Sequence, residues 1–194
     1  MDSSDLEFWE SRYVSGQTPW DLKGVPPGLT VFLKRGGERG TVLLPGCGMG
    51  HEVRAFHEAG WTPLAIDFSP AAVAGARSKL GALGALVRQA DFFADDLGGS
   101  FDLIYERAFL CALSPERWPD YAARMAKLLR PGGTLAGFFY YGIDPDGPPF
   151  PLPRECAASL FSAFELRVDR EIPPEESIAL QAGFERWQEW TLRR

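Results

Sequence analysis

A glycine-rich turn directly after a short apolar run is the first feature of this sequence with the composition of a ligand site. Residues 42–44 are Val-Leu-Leu, too short for a helix and typical of a buried strand, and they lead through Pro45 into Gly-Cys-Gly-Met-Gly at 46–50. Glycine lets the backbone approach a ligand closely because no Cβ stands in the way. Residues 51–59 then show helical apolar spacing. A strand, a glycine turn and a helix in this order predict a nucleotide-binding site at the carboxyl end of a strand in an open α/β sheet.

Acidic residues follow at the spacing that such a site requires. Asp67 ends the second apolar run and lies 21 residues after Gly46. A carboxylate at the tip of the second strand, about 20 residues after the first glycine, holds the ribose hydroxyls of an adenosine. Asp91 and Phe92 follow a third strand predicted at 85–87. There they either bind and stack on an adenine or form a plain turn with a core phenylalanine. The pattern predicts a cofactor that contains adenosine.

The N-terminal segment carries aromatic residues that predict a helical lid. Residues 5–14 place Trp9 and Tyr13 at helical spacing, and Trp20 lies in a turn beyond them. Two interpretations stand: the aromatic rings help to close the site, or they only pack on the core. A second helix is expected at 26–34, where two prolines begin it and a pair of glycines ends it.

The remaining pattern alternates between helices and strands. A helix after Asp67 is expected to begin with Ser69 as its cap. We expect helices at 70–80 and 121–129, the latter ended by Arg-Pro-Gly-Gly, and strands at 101–105, 134–141, 163–169 and 184–191, the last two as an antiparallel pair at the sheet edge. No repeat or linker is visible, so the sequence predicts a single domain over 1–194, with a lid and helix at 1–37 and the core at 38–194.

Composition bounds the class of protein. The 194 residues suffice for one well-cored domain, and 45% hydrophobic and 24% charged residues are ordinary for a soluble protein. No apolar run approaches the roughly 18 residues of a membrane helix, and the acidic start does not resemble a targeting signal. Three scattered cysteines suit a reducing cytoplasm, and the net charge of −6 disfavours nucleic acid. We therefore expect a cytoplasmic monomer with a small-molecule substrate, no nucleic-acid partner and no membrane association.

Several other chemistries are disfavoured by spacing. The third small residue of a dinucleotide fingerprint would fall on His51, which argues weakly against NAD, and no Lys-Ser or Lys-Thr follows the glycines as a phosphate loop requires. Cys47, His51 and His57 fall short of the four ligands that zinc prefers, so we expect no metal. Cys47 and Cys111 lack an assignable base, and buried packing is the role expected for both.

The motifs together resemble a known family. The run LLPGCGMGHE, the acid at Asp67 and the LLRPGG turn resemble class I S-adenosylmethionine-dependent methyltransferases. FWESRYVSGQTPWD and YERAFLCALSPERWPDYAARM, in that order, are similar to the thiopurine methyltransferase superfamily, which includes halide and thiol methyltransferases. The resemblance runs from about Phe8 to the end of the chain. It implies a Rossmann-like α/β fold: a seven-stranded, mostly parallel sheet with an antiparallel C-terminal edge pair, helices on both faces and an N-terminal helical lid.

The resemblance also implies S-adenosylmethionine as cofactor and a set of residues around it. Gly46 and Gly48 would pass beneath the methionine moiety, Asp67 would take the ribose hydroxyls, and Asp91 with Phe92 the adenine. The residues expected to contact the cofactor are Trp9, Tyr13, Trp20, Pro45, Gly46, Cys47, Gly48, Asp67, Phe68, Asp91, Phe92 and Arg107.

The expected activity is methyl transfer to a small nucleophile, with sulfur favoured and selenium or halide possible. Tyr13 stands where thiopurine methyltransferases carry tryptophan, so the resemblance does not transfer thiopurine specificity. No catalytic residue is assigned; Arg107, Trp20 and Tyr140 are expected to position the reactants. Arg107 would hold an anionic nucleophile or the cofactor carboxylate, or form a salt bridge with Glu106 or another acid. Two alternatives stay open: an NAD-dependent oxidoreductase and a non-catalytic cofactor-binding scaffold.

Overall fold

A mixed β-sheet with helices on both faces is the frame of the protein. The computed structural model describes residues 5–37, 39–144 and 146–194. Residues 1–4 of the predicted lid, residue 38 at the predicted start of the core and residue 145 lie outside the described residues. The helices are α1 (Leu6–Ser15), α2 (Pro27–Leu33), α3 (His51–Glu58), α4 (Pro70–Leu80), α5 (Trp118–Leu128) and α6 (Arg154–Leu160). The strands are β1 (Thr41–Pro45), β2 (Thr62–Asp67), β3 (Val87–Gln89), β4 (Phe101–Arg107), β5 (Leu129–Tyr140), β6 (Phe164–Glu171) and β7 (Glu185–Leu192).

The strand order creates a single ligand edge. Within the described residues, seven strands form one sheet in the order β3-β2-β1-β4-β5-β7-β6. The first five in that order are parallel, and β7 runs antiparallel to both β5 and β6. The order reverses between β1 and β4, and in such sheets ligands bind at that point, outside the carboxyl ends of the strands. The predicted fold class is confirmed, including the antiparallel pair at the C-terminal edge.

Two apolar layers cover the sheet because side chains alternate between its faces. Val42 and Leu44 face α3 and α4, whereas Leu43 between them faces the side of α5 and α6. Helix α2 belongs to the first layer: Leu29 is fully buried and the ring of Phe32 lies 5.3 Å from that of Trp187. The second helix of the N-terminal segment 1–37 is therefore packed against the sheet.

Most predicted elements form close to their expected bounds, with two differences. The third strand begins at Val87, and the residues just before it form a short 3₁₀ helix, Gly81–Leu86. The Arg-Pro-Gly-Gly segment at 130–133 ends α5 as expected but is already part of β5, which begins at Leu129. Ser69 caps α4 as predicted, its hydroxyl accepting a hydrogen bond from the Ala72 amide at 3.0 Å. Within the described ranges, no helix combines the length and apolar character needed to cross a membrane.

Candidate active site

A cavity of about 250 Å³ opens at the carboxyl ends of the parallel strands. Its floor is formed by the ends of β1, β2 and β4 and the turns that follow them, and its roof by the N-terminal segment. The floor and roof residues anticipated from the sequence that line it are Trp9, Tyr13, Trp20, Pro45, Gly46, Cys47, Gly48, Asp67, Phe68, Asp91, Phe92 and Arg107. Among these predicted residues, the chain brings together positions that lie up to 98 apart, from Trp9 to Arg107.

The glycine turn after β1 has no room for a side chain at Gly46 or Gly48. Gly46 and Gly48 adopt left-handed backbone conformations, with φ of 58° and 50°. A Cβ at Gly46 would lie 2.6 Å from the ring of Phe109, and one at Gly48 would lie 2.9 Å from the Tyr13 hydroxyl. The glycines are therefore required by the backbone conformation and by the close approach of these two protein groups.

Asp67 is buried at the tip of β2 and organises two turns. One carboxylate oxygen accepts the Gly48 amide at 2.9 Å and the other accepts the Ser69 amide at 3.0 Å. Burial raises the pKa of Asp67 to about 6, against the lowering effect of these hydrogen bonds. Each carboxylate oxygen can accept a second hydrogen bond, so the group remains able to accept from two neighbouring hydroxyls of a ligand.

The Asp91–Phe92 pair has features of both interpretations. The Asp91 carboxylate accepts hydrogen bonds from the amides of Phe93 and Ala94, at 2.7 and 3.3 Å, as in an acid-capped turn. Phe92 is only 4% exposed and belongs to the core, with its ring 5.2 Å from that of Phe109. Both residues nevertheless line the cavity. The pair is a structural turn that also forms part of the cavity wall.

Three aromatic rings from the N-terminal segment form the roof. Trp20 is central: its ring meets Trp9 at 5.1 Å and Tyr13 at 5.8 Å, edge to face in both cases. Such pairs add to the stabilisation from burial. Burial also raises the pKa of Tyr13, with the nearby Asp67 carboxylate acting in the same direction, so the hydroxyl stays protonated. The rings both pack together and border the cavity.

Arg107 is held by two contacts and keeps one nitrogen without a partner. Its Nη1 donates to Glu185 at 2.7 Å, and its guanidinium lies 4.4 Å from the ring centre of Phe138. The expected salt bridge therefore forms with Glu185 of β7 and not with Glu106. The Nη2 atom is buried, and no described residue accepts a hydrogen bond from it. The other Glu185 oxygen accepts the Ser177 hydroxyl, which ties Arg107 to the segment 177–181.

Comparisons with known proteins place this geometry in a family. The family model for thiopurine S-methyltransferase matches residues 4–193. The chain belongs to this family. It is similar to thiocyanate methyltransferase 1 of Brassica oleracea, with 33% identity over 94% of this chain and 83% of the relative, and to a thiopurine S-methyltransferase of Vibrio cholerae, with 29% identity over 98% of each. It is accordingly an S-adenosylmethionine-dependent methyltransferase, and the NAD-dependent and scaffold alternatives are set aside.

The fold is also similar to that of a methyltransferase whose structure has been solved. A structure of 1,6-didemethyltoxoflavin-N1-methyltransferase from Burkholderia thailandensis, with bound 1,6-didemethyltoxoflavin and S-adenosylhomocysteine, superimposes with a TM-score of 0.77. The match covers 97% of this chain and 87% of the solved one at 19% identity, a level that establishes a shared fold only.

Tyr140 is the one anticipated positioning residue that lies elsewhere. It is not among the described residues that line the cavity; it borders a separate small hollow with Phe150 and Leu152. A Cβ on Gly142 would overlap the Tyr140 hydroxyl, so the side chain folds back over its own strand end. Tyr141 is buried and donates its hydroxyl hydrogen to Gln188 at 2.8 Å. Tyr140 thus lies beside the main cavity, and its part in positioning the acceptor stays a prediction.

Several wall residues were not anticipated from the sequence. Glu52 and Tyr105 line the cavity, as do the proline pair 148–149 and the segment 178–181. Glu52 had a readable signal, because it lies in the first turn of the helix that follows the glycine turn. The two distant segments had none, because long-range contacts place them: the Phe150 amide donates to the Cys111 carbonyl at 2.7 Å beside the proline pair, and the β5–β7 pairing brings 178–181 to this edge.

The cysteine and histidine side chains of the described residues do not gather into a group that could hold a metal ion. The described part of the chain holds no group of three or more His, Cys, Asp or Glu side chains able to hold a metal ion. Burial raises the pKa of Cys47 well above its ordinary value and that of Cys111 to about 12, so both thiols stay protonated. His51 instead binds Asp21, with Nε2 2.8 Å from the carboxylate, and so ties the turn after α1 to the start of α3.

A carboxylate of the roof helix also ties the lid to the core. Glu10 of α1 accepts the Ser69 hydroxyl at 2.5 Å and the Ala71 amide at 3.1 Å, at the beginning of α4. The Glu10→Ala substitution removes both bonds and should weaken the docking of α1 on the core by about 1 to 2 kcal/mol. The fraction of molecules with an undocked lid should then rise roughly five- to 30-fold. Limited trypsin digestion after Arg12 should accelerate accordingly. Glu7→Ala, an exposed position on the same helix, is the control; equal rates for the two variants would contradict this role of Glu10.

The raised pKa of Asp67 predicts a pH-dependent cofactor affinity. The ribose hydroxyls predicted to bind Asp67 would require the ionised carboxylate, because a protonated oxygen would displace one of the two backbone donors. The affinity for S-adenosylhomocysteine should therefore be full above pH 6 and fall as the pH drops through about 6, by up to about tenfold per unit. Calorimetric titrations from pH 7.5 to 5 measure this. Asp67→Asn should remove the inflection; an unchanged profile in that variant would assign the titration to another group.

Proposed function

We propose that this methyltransferase acts on the sulfur of a small organic thiol, which it binds as the thiolate. The observation that supports this most directly is the cavity-facing Arg107, whose Nη2 is buried and lacks an acceptor among the described residues. A guanidinium kept in place by Glu185 and Phe138 favours a bound anion, and burial strengthens the attraction. A neutral amine or alcohol could accept a hydrogen bond from Nη2, but only an anion would also be attracted by its charge.

The cofactor would occupy the part of the cavity above β1, β2 and the turn after β3. Gly46 and Gly48 offer a backbone surface without side chains, Asp67 accepts from the ribose hydroxyls, and Asp91 with Phe92 borders the adenine. These groups fit the cofactor because a buried carboxylate with spare acceptor capacity stands 21 residues after the first glycine. When bound, S-adenosylmethionine supplies a methyl group on a positively charged sulfur, which a soft nucleophile displaces.

The acceptor would bind on the opposite side of Arg107. That wall is largely apolar and comes from three separate parts of the chain: Cys111, Ala112, Leu113, Pro148, Pro149, Ile178 and Leu180. Because Ser177 and Arg107 share Glu185, the charged group and this wall are fixed relative to each other. An apolar wall beside the Arg107 guanidinium suits an organic body that carries a thiolate better than a small hydrated anion.

The chain then needs little acid–base chemistry. A thiol loses its proton to water before it binds, and Arg107 stabilises the resulting anion. Trp9, Tyr13 and Trp20 form an aromatic roof that excludes water and stabilises positive charge in the cavity. The remaining contribution is positioning, which for two oriented reactants supplies a large share of the rate enhancement.

An acceptor panel tests the proposal. Purified protein with labelled S-adenosylmethionine would be offered aromatic and aliphatic thiols, thiocyanate, iodide, selenite, and a phenol and an aniline of the same shape as the aromatic thiol. We expect the organic thiols to be methylated with the highest kcat/KM, and the rate to rise with pH as each thiol ionises. Preferential methylation of the phenol or aniline would overturn the assignment of sulfur.

Arg107→Lys isolates the role of the cation. Lysine keeps the charge beside Glu185 but loses the planar fork, so the KM for the thiol should rise about tenfold with little change in cofactor affinity. Arg186→Lys is the matched control, because that arginine pairs with Asp169 and Glu171 on the sheet and does not line the cavity. An unchanged KM in Arg107→Lys would remove Arg107 from acceptor binding.

We propose that residues 1–194 act as a single domain and as a monomer, without a nucleic-acid partner, in the cytoplasm. The continuous sheet, the net charge of −6 and the free Cys47, Cys111 and Cys156 support this. Light scattering at micromolar concentration tests the oligomeric state.

A further inference from the structure

A buried amide interrupts the apolar wall proposed above for the acceptor. Gln181 is only 2% exposed and lines the cavity, at the end of the short 3₁₀ turn Ala179–Gln181. Its Nε2 donates to the Cys111 sulfur at 3.2 Å, and no described residue donates a hydrogen bond to its Oε1. Once a ligand has displaced water from the cavity, a carbonyl without a donor costs free energy. The ligand itself is therefore the natural donor.

The contact with Cys111 leaves most of the amide free. A thiol sulfur is a weak acceptor, whereas a glutamine amide offers two N–H donors and a carbonyl oxygen with two lone pairs. Burial raises the pKa of Cys111 to about 12, so the sulfur stays protonated and does not become the stronger thiolate acceptor. The contact thus orients the Gln181 side chain and occupies one N–H group of it.

The segment that carries Gln181 is fixed relative to Arg107. The Gln181 backbone amide donates to the Ile178 carbonyl at 2.9 Å, which closes the turn. Ser177, just before this turn, donates its hydroxyl hydrogen to Glu185, and Glu185 also pairs with Arg107. The side-chain amide and the guanidinium are therefore two polar points on one connected part of the cavity.

We infer that Gln181 determines acceptor specificity, with its Oε1 accepting a hydrogen bond from a neutral N–H or O–H group on the body of the thiol. Arg107 binds the thiolate and Gln181 binds the donor. The substrate class is then an organic thiol that also carries an uncharged hydrogen-bond donor. The inference rests on the proposed function, because it requires an organic acceptor on this side of the cavity.

The surroundings of the amide favour an uncharged donor. Ile178 and Leu180 line the cavity beside Gln181, and burying a charge among apolar groups costs more than burying a neutral group that is hydrogen-bonded. A thiol of the same shape with a methyl group in place of the donor would leave Oε1 unpaired. Sites that hydrogen-bond a substrate group reject the analogue that lacks it, and they do so more strongly than an apolar pocket rejects a missing methylene.

A series of substituted benzenethiols tests the inference. Benzenethiols with an amino, hydroxyl, methyl or methoxy group in the ortho, meta or para position would be assayed for kcat/KM with S-adenosylmethionine, at a pH at which every thiol is ionised. Each would be offered to wild type and to Gln181→Met, in which an unbranched, adaptable side chain replaces the amide. Gln17→Met, at an exposed position that does not line the cavity, is the matched control.

The donor-bearing thiols should lose their advantage only in Gln181→Met. In wild type and in Gln17→Met, the best amino or hydroxyl isomer should exceed its methyl counterpart in kcat/KM by about ten- to 100-fold. In Gln181→Met this ratio should fall below about threefold, because the methyl isomers keep nearly their wild-type kcat/KM. The affinity for S-adenosylhomocysteine should stay at its wild-type value.

Four results would contradict the inference, and they differ from one another. An equal loss for donor and methyl isomers in Gln181→Met would mean that Gln181 only supports the shape of the wall. No advantage of any donor isomer in wild type would exclude recognition of a donor, without reference to a variant, and would leave thiol methylation intact. A preference for the methoxy isomers would mean that the amide nitrogen, not Oε1, faces the acceptor. If no thiol were methylated, the proposed function would fail together with this inference.

Discussion

Asp67→Ala is expected to weaken binding of S-adenosylhomocysteine by about 100-fold or more. The carboxylate would accept two ribose hydroxyls, and hydrogen bonds to a charged group contribute about 1.5 to 3 kcal/mol each. Alanine also leaves the Gly48 and Ser69 amides without their acceptors, so the glycine turn and the start of α4 lose their common anchor. Calorimetric titration measures the affinity directly.

Asp67→Asn separates these two effects. Asparagine has nearly the same shape and one carbonyl acceptor, so it should preserve part of the turn and lose most of the ribose binding. NAD serves as the ligand control and should bind neither variant nor wild type. Unchanged affinity for S-adenosylhomocysteine in Asp67→Ala would remove Asp67 from the cofactor site.

Local patterns predicted the frame and the part of the cavity wall that surrounds the glycine turn. The run before Pro45, the glycine turn and the acid at Asp67 are consecutive parts of one β-α-β unit. In such a unit the ligand edge follows from the order of the elements, so short-range spacing is enough to identify it. The lid aromatics Trp9 and Trp20 were also readable, because large aromatic residues in a short polar segment require a surface to pack against.

The part of the cavity wall that includes Ile178 and Leu180 could not be predicted in the same way. Ile178 and Leu180 reach the cavity only because β7 pairs with β5 and carries Glu185 to Arg107. That contact joins residues 78 positions apart, and no local pattern records it. Tyr140 shows a second limit: its place at the end of β5 suggested the cavity edge, and its side chain borders a separate hollow beside Gly142. The end of a strand fixes where the backbone arrives and leaves the direction of the side chain undetermined.

Strand β4 carries cavity-lining residues and a residue that anchors the fold side by side. Because side chains alternate along a strand, Tyr105 and Arg107 face one layer and Glu106 faces the other. Glu106 is buried, and its carboxylate accepts from the Phe109 amide at 2.9 Å, the Leu110 amide at 3.0 Å and the Tyr121 hydroxyl at 2.5 Å. Glu106 therefore anchors the turn that carries Phe109 against the glycines.

Glu106→Ala should accordingly destabilise the fold by about 3 to 5 kcal/mol, because three buried donors lose their acceptor at once. For a domain of this size that corresponds to a fall in Tm of about 6 to 20 °C, measured by circular dichroism. Tyr121→Phe removes one of the three bonds and should cost about 1 kcal/mol. In the double variant the two losses should be less than additive, since they share one hydrogen bond.

Asp120→Ala is the control for Glu106→Ala. This exposed acid on α5 forms a surface ion pair with Arg117 at 3.8 Å, so its loss should change the free energy of unfolding by less than about 0.5 kcal/mol. If Glu106→Ala unfolded at the same temperature as Asp120→Ala, the carboxylate would not anchor the turn.

The effect of Glu106→Ala on cofactor binding follows from the same contacts. A loosened turn withdraws Phe109 from Gly46, so any Glu106→Ala protein that remains folded should also bind S-adenosylhomocysteine more weakly, whereas Asp120→Ala should bind it like wild type.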